Sequence, residues 1–157
     1  MPSTPHVVLI VLQAYVVAFI ALHDWVPLGR LNDVAAVQAA DPAAKLIAVT
    51  ALSTAPFAFG LWWSIVYAGA RIPGWLTWYL WICYGVAAYG LWRAWWGPYL
   101  PGGDPARAAR YEAMFGRTYA FLPSRHGIRP NALHISLHVT VIAILVALAS
   151  QSSWMRG

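Results

Sequence analysis

The chain has little charge and almost no cysteine. Only 10% of its 157 residues are charged while 61% are hydrophobic. An ordinary soluble domain carries about a quarter charged residues, so water is not the main solvent here. Acids are scarcest, comprising Asp24, Asp33, Asp41, Asp104 and Glu112. A lone Cys83 excludes an intrachain disulfide, and with it thiolate zinc clusters and the paired thiols of attached c-type haem. No Lys or Arg precedes the first apolar run, and no clear small-x-small cleavage site follows it, so that segment reads as retained rather than as a removed signal.

What the chain does have is long apolar runs and aromatic rings. Four runs, near residues 6–23, 44–68, 74–92 and 132–150, approach or exceed the roughly 20 helical residues needed to cross a bilayer core of about 30 Å. Ten Trp and eight Tyr suit the boundary between lipid tails and headgroups. The expected fold is therefore an all-α integral membrane protein. It is a single domain over residues 1–157, a bundle of four transmembrane helices.

Local signals set the ends. Asp41-Pro42 offers a capping carboxylate and a first-turn proline to the second span, Pro73-Gly74 a hairpin, and Asn131 a start for the fourth span. Pro56 should bend the second span, with Ser53 and Thr54 hydroxyls available to the freed carbonyls. In the third connection Ala108, Tyr111 and Phe115 share a helical face, as expected of a short helix lying at the membrane interface.

Four crossings place both termini and the Arg71 hairpin on one side, and the two longer connections on the other. Arg30, Lys45, Arg93, Arg107, Arg110, Arg117, Arg125 and Arg129 then share the loop side with every acid. The positive-inside bias puts these loops in the cytoplasm and both termini outside it. The formal charge of +5 is spread through loops without a basic domain, so anionic membrane lipids are the expected counter-charge and nucleic acid is not.

The same topology gathers His23 and Asp24 from the first span, Arg93 from the third, and His134 and His138 from the fourth. His6, Gln13 and Asp24 lie nearly in line at about 100° per residue, a polar stripe expected to face the interior. Gly85, Tyr89 and Arg93 form a comparable line. The expected site is a His/Asp/Arg pocket near the cytoplasmic interface. It belongs to a membrane-embedded enzyme or binder of an apolar small molecule, of the lipid or isoprenoid class.

Three chemistries fit these residue types. His23, Asp24, His134 and His138 supply nitrogen and oxygen donors for zinc or iron, although His134-x-x-x-His138 lacks the glutamate that marks a zincin. Without metal, His and Asp can exchange protons with an apolar substrate. Arg93 can then hold a phosphate or carboxylate, and Trp92, Trp95 and Trp96 can form the wall. Alternatively, His23 with His134 or His138 can ligate b-type haem, or the bundle can hold a quinone. A non-catalytic role as an accessory subunit or homo-oligomer also fits, with Gly60, Gly85 and Gly90 at close contacts. Residues 111–130, mixing aromatics and arginines before the His-bearing helix, are expected either to fold over the pocket as a lid or to serve as an amphipathic connector held to anionic headgroups.

Overall fold

The computed structural model describes residues 4–154. Among these, four long helices form one bundle: α1 (Thr4–Leu22), α3 (Ala43–Val66), α4 (Gly74–Leu91) and α7 (Ala132–Trp154). Between them run the short α2 (Val34–Ala40), α5 (Gly97–Tyr99) and α6 (Pro105–Phe115). In the bundle α1 packs on α3 and α7, and α4 on α7 and α3.

Three of the long helices are long and apolar enough to cross a membrane, namely Thr4–Leu22, Ala43–Val66 and, within α7, Ala132–Ser150. Their mean hydropathies are 2.2, 1.5 and 2.3. The α4 helix also lacks charge, but Trp75, Trp78, Tyr79, Trp81, Tyr84 and Tyr89 lower its average, so it stands outside this group.

Each helix buries one narrow stripe. Leu76, Leu80 and Tyr84 recur every four residues on α4, while Val141, Ile144 and Leu148 keep helical spacing on α7. The opposite faces are apolar too, and Leu52, Trp78, Val86 and Ile142 are exposed. Helices apolar all round gain little in lipid by choosing one face over another, so close packing and interior polar bonds must decide. Gly60 supplies the first, because a Cβ there would come within 2.8 Å of Leu80 Cδ2. Ser64 supplies the second. Its hydroxyl accepts from Gln13 Nε2 at 3.0 Å and lies 2.9 Å from the Gly60 carbonyl, and its own carbonyl lies 3.0 Å from His6 Nε2. The polar stripe of His6 and Gln13 thus does face inward, onto α3.

The two longer connections gather at one end of the bundle and are tied together. Arg117 pairs with Asp33 at 2.8 Å, Arg110 with Asp41, and the Tyr119 amide donates to the Arg30 carbonyl. Asp33 caps α2, Asp104 caps α6, and Asn131 caps α7 through the His134 amide. Asp41 departs from expectation. Its carboxylate is taken by Lys45 and Arg110, and Pro42 begins α3 without a side-chain cap. Nor does Thr54 fill the gap left by Pro56, since its hydroxyl is buried without a partner.

After α4 the chain makes a π-helical turn, Trp92–Trp96, closed by the Gly97 amide on the Trp92 carbonyl. Such a turn holds one residue more than an α-turn. It carries Trp95 into the interior while Trp92 and Arg93 stay exposed. The apolar face of α6 follows, for Ala108, Tyr111 and Phe115 pack with Trp95 and Ile128. The face read from sequence as lying on a membrane is therefore turned to protein.

Candidate functional site

An apolar cavity of about 640 Å³ lies among the four long helices. Val16, Phe19 and His23 come from α1 and the turn after it, Phe57 from α3, Cys83 from α4, Trp95 from the π-turn, and His134 and Leu137 from α7. Ser53 and Pro56 on one side, with Ile82 and Val86 on the other, bring the cavity to the outer surface between α3 and α4. The same two helices are held close at Gly60 and Leu80, so the opening lies toward the connection end.

At that end the rings form a continuous cluster. His134 lies 4.6 Å from Trp95, 5.1 Å from Phe115, and 5.7 Å from both Phe19 and His23, centroid to centroid. Phe19 stacks on His23 at 4.6 Å, the contact of residues one helical turn apart. Phe115 belongs to the segment expected to act as a lid, and it covers His134 directly.

The hydrogen bonds fix where protons sit. Asn131 Oδ1 accepts from the His134 backbone amide at 2.8 Å, which identifies that atom as the oxygen. The same oxygen lies 2.8 Å from His134 Nδ1, so Nδ1 carries a proton, and in the neutral ring Nε2 keeps its lone pair. His23 is the reverse case. Its Nδ1 faces the Phe19 carbonyl at 3.0 Å and its Nε2 faces Asp24 Oδ1 at 3.2 Å. Two acceptors around one ring require a second proton, held on Nε2 or on the carboxyl. Burial pushes the Asp24 carboxyl above its ordinary value, opposed by His23 and reinforced by Asp41.

The structure thus brings together His23, Asp24 and His134. His138 lies elsewhere, one turn and about 6 Å further along α7. There its Nδ1 accepts from Trp96 Nε1 at 3.0 Å, leaving Nε2 buried without a partner. Arg93 also departs from the expected pocket. The line Gly85, Tyr89, Arg93 faces outward, because Leu76, Leu80 and Tyr84 fill the interior face of α4. Among the described residues, no three His, Cys, Asp or Glu side chains are grouped so as to hold a metal ion. Both nitrogens of His23 are engaged within the protein, Nδ1 with the Phe19 carbonyl and Nε2 with Asp24.

Phe19 and Asn131 are site residues that sequence reasoning passed over. Each had a signal, Phe19 lying four residues before His23, and Asn131 three before His134 at a helix start. Trp95 was expected among the wall residues and does line the cavity.

Fold and site together define an all-helical protein with three helices suited to crossing a membrane and a histidine-edged apolar cavity between them. Comparison with protein-family models, curated proteins and solved structures gives no match.

Proposed function

We propose that the chain is a membrane enzyme with four spans, α4 being the fourth. It takes an apolar, unsaturated molecule of the lipid or isoprenoid class through the opening between α3 and α4 and shifts a proton on it. The observation that carries this reading is the different hydrogen bonding of two histidines on one apolar cavity. The His23–Asp24 unit holds a proton it can give, and His134 Nε2 holds a lone pair that can take one.

The step is an allylic rearrangement. The His23–Asp24 unit protonates one end of a carbon–carbon double bond, the bond migrates, and His134 Nε2 removes a proton from the carbon beyond. Atoms and electrons balance without an oxidant or reductant. His134 then loses the proton to solvent and the His23–Asp24 unit is reprotonated from solvent, so both groups return to their starting states. Trp95 and Phe19 present aromatic faces that favour the cationic character of the intermediate. The long connections lie in the cytoplasm in this reading, following their arginine content.

Deuterium tests the step even while the substrate is unidentified. Purified protein incubated in heavy water with a membrane lipid extract should introduce deuterium at carbon into one lipid class, read by mass spectrometry. His134→Phe should abolish that incorporation while retaining ligand binding. Co-purification of a lipid with no incorporation above a protein-free control would reduce the reading to a binding protein. Absence of both would leave a structural bundle.

A further inference from the structure

A second cavity of about 610 Å³ lies against the first, on the outer side of the end of α4. Arg93, Arg107, Arg110 and Tyr111 line it, with Asp104 and the backbone-exposing Gly90. Gly90 also lines the apolar cavity, so the two meet at this residue. A Cβ built on Gly90 meets nothing within 4 Å, so the space beside this residue is open.

The charges at this second cavity are unbalanced. Asp104 accepts from the Ala106 amide as the cap of α6, and Tyr111 donates its hydroxyl to the Ala94 carbonyl. Arg110 is paired with Asp41. Among the described residues no carboxylate pairs with Arg93 or Arg107, and Arg107 reaches only the Arg93 carbonyl, at 3.2 Å. Two guanidinium groups are left to face an anion at the level where the helix leaves the apolar layer. Planar guanidinium forks suit phosphate oxygens, and at this level they require no charge to be carried into lipid.

We propose that the molecule held in the apolar cavity is an amphiphile bearing a phosphate group. Arg93 and Arg107 hold the phosphate, and the hydrocarbon tail passes Gly90 to reach His23 and His134. This inference rests on the proposed lipid or isoprenoid ligand and names its head. The arginine face and the histidine cavity then act as two halves of one site, one fixing the head and the other reacting with the tail.

Binding of three probes to the detergent-purified full chain tests it, followed by quenching of Trp95 and its neighbours. The probes are farnesyl phosphate, farnesol and inorganic phosphate. Farnesyl phosphate should bind about tenfold or more tightly than farnesol, and inorganic phosphate should bind weakly. The double variant Arg93→Gln with Arg107→Gln should bring farnesyl phosphate down to the affinity of farnesol without changing farnesol itself. Gly90→Leu should weaken farnesyl phosphate, because it closes the passage while keeping both arginines.

Equal affinities for farnesol and farnesyl phosphate in the wild type would overturn the phosphate head while leaving the apolar site standing. If neither bound, the reading of the apolar cavity itself would fall. Tight binding of inorganic phosphate, unaffected by Gly90→Leu, would show a free-phosphate site unconnected to the cavity. Vesicles containing phosphatidylglycerol provide the last arm. If they outcompeted farnesyl phosphate equally in wild type and Gly90→Leu, the arginines would be a general headgroup contact and the proposal would fail.

Discussion

Removing the Asn131 side chain should release the proton on His134 from its fixed place. Asn131 is 1% exposed and His134 9% exposed, so water cannot readily replace what is lost. Asn131→Ala removes the cap of α7, costing about 1 kcal/mol. It also removes the acceptor for a buried imidazole N–H, costing about 1–3 kcal/mol. One contribution opposes these. Asn131 Nδ2 is itself buried without a partner, and deleting it returns roughly 1 kcal/mol. The net expectation is a loss of about 1–3 kcal/mol, measured by reversible unfolding in detergent micelles.

Asn131→Asp separates the two roles, because it keeps an acceptor at the same position. It should retain the cap and the Nδ1–H form, whereas Asn131→Ala should yield a mixture of ring tautomers. Nitrogen NMR on histidine-labelled protein reads the tautomer directly. A wild-type His134 carrying its proton on Nε2 would refute the assignment. So would an unchanged Nδ1–H form in Asn131→Ala, since the proton would then be held by something other than Asn131.

Three further outcomes are expected. Ser64→Ala should lower stability by about 1 kcal/mol, because Gln13 loses its partner, while ligand binding at the far end stays intact; unfolding and probe titration on the same sample check both. Gly127→Ala should cost about 2 kcal/mol, since Gly127 has a φ of +75° and an added Cβ would come within 2.8 Å of Ala108 Cβ, whereas Gly85→Ala, which meets open space, should be close to neutral by the same unfolding assay. Lys45 first, and Arg110 after it, hold the Asp41 carboxyl below its ordinary value against a smaller opposing effect of burial. Its contribution is therefore full above the unfolded value of about 3.9 and fades as pH falls toward the lower folded value. The stability gap between wild type and Asp41→Asn should shrink with acidification, and a gap independent of pH would count against the pairing.

The helices were legible in the sequence wherever an apolar run stood between proline, glycine or asparagine signals. The expected runs at 6–23, 44–68, 74–92 and 132–150 fall on α1, α3, α4 and α7 with ends displaced by only a few residues. Meeting of the two long connections at one end was legible for the same reason. Less could be read about which face turns inward. On helices apolar all round, periodicity does not distinguish lipid from protein, so Arg93 was expected inside and lies outside. Ser64 was passed over because a single hydroxyl leaves no pattern, yet it receives both His6 and Gln13 of α1. His138 shares a helical face with His134, but sequence spacing could not show that Trp96 would reach it first.

The π-turn at Trp92–Trp96 means that the length of one helix and the identity of its inward wall are set separately. Below the turn α4 keeps one angular phase, and above it another, offset by a single residue. Deleting one residue of this turn before Trp95 would restore even winding and rotate Trp95 by about 100° away from His134, with no change to the apolar stretch beneath. A one-residue insertion or deletion here thus acts as a selector. It can exchange the lining of the cavity's reactive end while the bundle keeps its shape.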